Sequence, residues 1–209
     1  MDILDFRTHH ADAEGALISV NPRQFDPQPG LWYSVGFHPW DDVDTLTDGD
    51  FILLEQCARH PQVLAIGETG MDRLRGAGLE VQTAVFIRHL QLAAELGLPV
   101  VAHCVRAAQE IVAAKRQAGL TAVSLVIHGL RANEHVARML LDVGCYLSFG
   151  IRFNPDALRS TPLDRLLIET DDAPVTIQEV ADAIAPVLQM SSEQVIKTAA
   201  GNAQRLLIK

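Results

Sequence analysis

Apolar positions along this chain fall into two alternating patterns. Short, nearly continuous runs of Val, Ile, Leu and Ala stop on a His, Glu or Asp: Ile3 to His9, Val63 to Glu68, Pro99 to His103, Val123 to His128 and Leu166 to Asp171. A strand covered on both faces needs such a run, because neither face can be polar. Between the runs the spacing changes. Gly78 to Leu96 places Leu79, Ala84, Phe86, Ile87, Leu90, Ala93 and Ala94 at helical intervals before Gly97 and Pro99 close the segment. Ala107 to Ala118, Asn133 to Leu141 and Ile177 to Leu188 also read as helices. Ser191-Ser192-Glu193 resembles a helix start, with Ser as the cap before Val195 to Ala200.

Strand and helix in alternation predict repeated βα units and a parallel sheet. Ala16 to Val20, Trp32 to Gly36 and Gly144 to Phe149 are three further strand candidates, which brings the total to eight. Eight suggest a closed (β/α)₈ TIM-type barrel, here a single domain over residues 1–209. Such barrels typically need about 250 residues, and the shortage falls early. Only Ala11 to Gly15 separate the first two strand candidates, and Asn21 to Gly30, rich in Pro and Gln, reads as a loop. The expectation is a compact barrel lacking one or two early outer helices. All parallel strands present their carboxyl ends at one face, so the polar endpoints of the runs converge there.

Composition narrows the function. A chain of 209 residues, 48% hydrophobic, suffices for one sizeable core. A formal charge of -9 argues against loose electrostatic binding of nucleic acid. It does not exclude a nucleic-acid substrate, because a bound divalent cation can invert the field within a cleft. Cys57, Cys104 and Cys145 are widely spaced and read as buried thiols, without disulfide or zinc spacing. No apolar run approaches the ~18 residues of a membrane span, and acidic Asp2 and Asp5 begin the chain. A soluble, cytoplasmic protein is expected.

One His at the end of an apolar run is ordinarily a hydrogen-bonded core residue. Two His, a Glu and an Asp at successive strand ends are a different matter: together they form a nitrogen and oxygen donor set suited to zinc, manganese or magnesium. Several of these segments are also specific in sequence. Gly67-Glu68-Thr69-Gly70-Met71-Asp72, Pro99-Val100-Val101-Ala102-His103, Ile127-His128-Gly129 and Leu167-Ile168-Glu169-Thr170-Asp171-Asp172-Ala173-Pro174 occur in that order. Over nearly its whole length the chain resembles the TatD-type metal-dependent hydrolases, amidohydrolase-like barrels described mostly as deoxyribonucleases. The resemblance implies that Glu68 bridges two metals, that His103 and His128 bind one of them, and that Asp171 binds the other with His9.

The first strand departs from the family. Asp-x-His-x-His is usual there, and this chain has Asp5-Phe6-Arg7-Thr8-His9. Strand side chains alternate, so Arg7 and His9 share a face and His10 lies on the other. Guanidinium stays protonated and has no lone pair, so Arg7 cannot be a ligand and repels a neighbouring cation. One divalent metal held firmly at Glu68, His103 and His128 is expected, with the second weak or absent. Arg7 would then be a fixed charge that holds a substrate phosphate or an oxyanion.

The chemistry implied is attack on a phosphoester by water that a divalent ion has acidified. Asp171 is either the proton acceptor or a metal ligand, and Glu68 shares the catalytic centre. Glu169 and Asp72 either orient ligands or form buried ion pairs with Arg. His38, in Gly36-Phe37-His38-Pro39-Trp40, resembles the family's Gly-x-His-Pro segment and suggests substrate contact. Arg73, Arg106, Arg131 and Arg152 follow strand ends and could reach a phosphate. His60, His89 and His135 read as solvated or packing residues, and Trp32, Trp40 and Phe149 as packing residues. The leading reading is a phosphodiesterase or deoxyribonuclease acting on a phosphoester, with DNA among its candidate substrates. Two others remain open: a metal-dependent hydrolase of a small amide, lactone or phosphoester, and a non-catalytic barrel that binds a ligand or protein.

Overall fold

All eight expected strands form. In this computed structural model, which describes residues 3–117 and 119–207, they are β1 (Asp5–Thr8), β2 (Ala16–Val20), β3 (Trp32–Val35), β4 (Val63–Asp72), β5 (Val100–Val105), β6 (Leu125–Ile127), β7 (Tyr146–Phe149) and β8 (Leu166–Ile168). They pair in chain order as one parallel sheet. The two ends of the sheet meet just beyond β8. Asp171 N–H donates to the Arg7 carbonyl at 3.0 Å, and His9 N–H donates to the Asp171 carbonyl at 3.1 Å. The result is a (β/α)₈ TIM-type barrel.

The helices are α1 (Asp48–Ala58), α2 (Leu79–Leu96), α3 (Ala108–Lys115), α4 (Glu134–Leu141), α5 (Pro155–Ser160), α6 (Ile177–Leu188) and α7 (Ser192–Leu207). None follows β1, and after β2 there is only a 3₁₀ turn, Pro22–Gln24, so the early outer helices are missing as expected. Two helices escape the periodicity argument. In α1 the apolar residues Phe51 to Leu54 are contiguous, which blurs the helical period; the start is set instead by Asp50, whose carboxylate accepts the Thr47 N–H at 2.8 Å. In α5 six residues are too few to show a period, and the signals are Asn154 as cap and Pro155 in the first turn. Helix α3 stops at Lys115; Ala118, where the sequence pattern ends it, lies outside the described residues.

Packing follows the two-residue period of the strands. Leu17, Ala65, Val101, Val126 and Leu167, each from a different strand, share one apolar cluster with Ala203, Leu206 and Leu207 of α7. Their chain neighbours Ile18, Ile66, Ala102, Ile127 and Ile168 belong to the larger cluster under the outer helices. Two residues beyond Val101, Val126 and Leu167 on the same face stand His103, His128 and Glu169. Glu68 is three residues beyond Ala65 and would face away in a regular strand. Register slips there: Ile66 pairs with Val100 and Thr69 with Ala102, so β4 spends three residues where β5 spends two. This bulge brings Glu68 to the inner face.

Cys57, Cys104 and Cys145 are free thiols, and burial pushes Cys104 and Cys145 up to about 12. No helix among the described residues is long and apolar enough to cross a membrane.

Candidate metal centre

Glu68 lies at the centre of the barrel mouth, 4% exposed, and its two carboxylate oxygens face different neighbours. Oε1 is 2.6 Å from His128 Nε2, 3.0 Å from His103 Nδ1 and 2.9 Å from His38 Nε2. Oε2 faces the guanidinium of Arg7, with His9 Nε2 3.8 Å away. The same guanidinium reaches Asp171 through Nη1 and His9 through Nη2. One carboxylate thus separates a histidine set from an arginine set. His103 Nδ1 and His128 Nε2 are only 3.2 Å apart, a spacing that calls for a proton or a cation between them.

Local structure fixes each side chain. His103 Nε2 is 3.4 Å from Asp72 Oδ2, and His128 Nδ1 is 3.2 Å from Glu169 Oε1. A carboxylate beyond each ring is the arrangement that orients metal-binding histidines. Glu169 is completely buried and its Oε2 has no partner among the described residues. Asp171 has φ 58°, a left-handed conformation, and this turn carries its side chain back over the barrel beside Arg7. Asp5 accepts from Thr170 N–H at 3.0 Å and Thr170 Oγ1 at 2.6 Å, tying β1 to the segment after β8. Burial pushes the Asp5 carboxyl up to about 6.

Charge organises the rest. Burial opposes ionisation of Glu68, but the positive charges of His128 and Arg7 outweigh it and hold the carboxyl well below its usual range. At His128 burial likewise disfavours charge, and Glu68 overcomes it, so that imidazole is shifted up. Burial shifts His103 down. With His128 protonated, the histidine set carries a proton where a cation would sit. Imidazole nitrogens and a carboxylate oxygen are donors that fit zinc or manganese, and releasing that proton frees them. Among the described residues, two groups bring three donor-type atoms within reach of one ion by distance alone, His38 with Glu68 and His103, and His128 with Glu169 and Asp171.

The structure brings together Arg7, His9, His38, Glu68, His103, His128 and Asp171 around a cavity of about 510 Å³. Asp72 and Glu169 stand behind His103 and His128. Arg73 and Arg106 do not line the cavity. Arg73 Nε donates to the Arg106 carbonyl at 3.0 Å and the guanidinium pairs with Glu110. Trp40 packs edge-on against His38 and His103 at the rim, with Arg75 over its ring, and its Nε1 donates to Asp72 Oδ2 at 2.7 Å. His89, which reads from sequence as solvated or packing, is fully buried. Its Nε2 accepts the Phe37 N–H at 3.1 Å, anchoring the segment that carries His38. Its position among the buried residues of α2 was the available signal.

Comparisons with known proteins agree with this geometry. Residues 23–208 match the family model described as TatD related DNase. The metal-dependent hydrolase YabD of Bacillus subtilis is 30% identical over 197 residues, covering 84% of this chain and 77% of that one. A 3'-5' ssDNA/RNA exonuclease TatD of Cronobacter turicensis is 34% identical over 152 residues, covering 68% of this chain and 57% of that one. Among solved structures, YJJV, a TatD homolog from Escherichia coli, superposes with a TM-score of 0.82 at 22% identity over 99% of both chains, a likeness of fold. The family model covers the strands that carry Glu68, His103, His128 and Asp171, and with the relatives' identity over most of the chain it places the protein in the TatD-related DNase family, as a metal-dependent hydrolase.

Proposed function

We propose that this single-domain chain hydrolyses phosphodiester bonds in single-stranded nucleic acid, using one divalent ion held by Glu68, His103 and His128. The division of Glu68 between histidines on Oε1 and Arg7 on Oε2 carries the reading. Arg7 is 1% exposed and its guanidinium fills the space among Glu68, His9 and Asp171, where a second ion would need its donors. An ion held by these three residues would supply an acidified water and a positive charge facing the phosphoryl oxygens. Arg7 contributes a second, permanent charge at the same carboxylate and neutralises the charge that develops on the phosphoryl oxygens. Asp171, partly exposed to the cavity, takes the proton of the attacking water through the carboxylate oxygen not engaged by Arg7. Asp72 and Glu169 hold the two ligand imidazoles in orientation.

Support for a polymeric substrate comes from a second cavity of about 520 Å³ that shares Asp171 and Asp172 with the first. Exposed Arg131 and Arg152 line it. Exposed Arg59, Arg138 and Arg159 each pair with a carboxylate. Arg131 and Arg152 enter none of the ion pairs among the described residues. Two unneutralised arginines beside the site suit a neighbouring phosphate. The exonuclease relative acts on such chains by its name. A cytoplasmic setting is consistent with three unpaired thiols. Asp41 and Asp172 at the cavity favour the second reading, a small phosphoester.

The test compares a chromogenic phosphodiester with a single-stranded oligonucleotide on manganese-loaded protein. Cleavage of both is expected, with the oligonucleotide KM rising with salt and in Arg131→Ala/Arg152→Ala while the chromogenic KM stays put. Cleavage of the small ester alone favours the second reading; cleavage of neither rejects both.

A further inference from the structure

Three histidines turn a ring nitrogen towards Glu68 Oε1, and distance alone would make all three ligands of one ion. The group facing the opposite nitrogen tells them apart. For His103 and His128 that group is a carboxylate, of Asp72 and Glu169. A carboxylate accepts, so in the neutral ring the far nitrogen carries the proton and the near one keeps its lone pair. His38 is built the other way. Its Nδ1 is 3.1 Å from the backbone nitrogen of Trp40. An amide N–H can only donate, so Nδ1 must be the acceptor and the proton of the neutral ring sits on Nε2. That is the nitrogen 2.9 Å from Glu68 Oε1.

The geometry points to His38 as a fixed hydrogen-bond donor to the substrate and not a metal ligand. Its Nε2–H rests on Glu68 Oε1 and, when Glu68 gives that oxygen to an ion, donates to a non-bridging phosphoryl oxygen in the cavity. The phosphoryl partner rests on the phosphodiester reading above; the donor assignment rests on the Trp40 contact. The segment is braced to hold this orientation. His38 N–H donates to Asp41 Oδ2 at 2.9 Å, Asn21 Nδ2 donates to the same oxygen at 2.9 Å, and Phe37 N–H donates to buried His89. Trp40 and His103 pack edge-on against the His38 ring, whose side chain is still 20% exposed and lines the cavity. A preorganised N–H at oxygens that gain charge contributes most in the transition state.

Four measurements on the full chain test this. Long-range ¹H–¹⁵N NMR of the metal-free protein should show His38 as the Nε2–H tautomer; an Nδ1–H tautomer overturns the assignment. Manganese titration should leave His38→Ala within about threefold of wild type, because His38 neither ligates nor orients a ligand imidazole, while His103→Ala should lose at least the roughly 10–100-fold that loss of a ligand's outer partner costs. A loss of tenfold or more in His38→Ala gives the residue a part in holding the ion and ends the proposal. On manganese-loaded protein, His38→Ala should weaken inorganic phosphate binding by about tenfold, the value of a hydrogen bond to a charged group. It should also lower kcat/KM for a chromogenic phosphodiester by about 10²–10³. His38→Gln, which restores an N–H at similar reach, should recover much of both. Unchanged phosphate binding and turnover in His38→Ala would remove the substrate contact. If the wild type binds no phosphate and cleaves no diester, the phosphodiester reading falls with the phosphoryl contact. The tautomer and the manganese titration then still decide donor against ligand.

Discussion

Replacing Arg7 with His removes a cation that Glu68, Asp171 and His9 share in a place where solvent cannot compensate. Glu68 would keep its charge with only imidazoles for company. Taking one partner from a buried ion pair costs about 3–5 kcal/mol. For a chain of 209 residues each kcal/mol moves Tm by about 2–4 °C, so Arg7→His freed of metal by a chelator should melt about 6–20 °C below wild type. Imidazole differs from guanidinium in having a lone pair. Together with Glu68 Oε2, His9 and Asp171 it would complete a second donor set, and the variant should gain a second ion per chain. Manganese at about 100 times its Kd for that set returns about 2.7 kcal/mol, most of the loss. Thermal scans of chelated and manganese-loaded protein, with metal per chain measured on the same samples, read both effects. If chelated Arg7→His melts with wild type, or loaded Arg7→His holds no more metal than wild type, then the guanidinium neither neutralises Glu68 nor occupies the second position.

Three more outcomes follow from single residues. Glu169→Gln and Asp72→Asn should each weaken manganese binding by about 10–100-fold by loosening His128 and His103, and unchanged affinity in titration would deny them an orienting role. Burial lowers His89 from 6.5 to about 4, so the unfolded chain takes up this proton first as pH falls. Stability present above pH 6.5 should be lost towards pH 4, by about 3 kcal/mol. Urea unfolding of wild type and His89→Gln at pH 7 and pH 4.5 checks this, because the variant should lack that part of the pH dependence. Gly70 has φ 129°, and a Cβ there would sit 2.2 Å from the His103 carbonyl oxygen. Gly70→Ala should therefore cost about 2–4 kcal/mol in urea unfolding and reduce metal binding by displacing β5; wild-type stability would contradict the close approach.

Much of the fold was legible because its signals are local. A buried parallel strand must be apolar on both faces, so β5, β6 and β8 appear as runs, and the polar residue at each end marks the barrel mouth. The missing early helices were visible as a short Ala11 to Gly15 and a Pro-rich Asn21 to Gly30. Arg7 was readable as a non-ligand from its chemistry alone. Helices α1 and α5 were not readable, one having a contiguous apolar block and the other only six residues.

The site itself divides along the same line. Residue types and strand ends, which depend on neighbours two positions away, predicted that Glu68, His103, His128 and Asp171 meet at the barrel mouth, and they line one cavity there. Orientation was decided elsewhere. The bulge in β4 turns Glu68 inward through its pairing with β5, and Arg73, just after β4, is drawn off to Glu110 in the first turn of α3. Arg7 reaches Asp171, 164 residues away in the chain, only because the barrel closes between Thr8 and Asp171. Which nitrogen of each histidine carries a proton depends on the atom behind the ring, and for His103 and His128 that atom comes from another strand or its end. Local periodicity puts donors at the barrel mouth, but hydrogen-bond partners brought from distant parts of the chain determine which lone pairs face the centre.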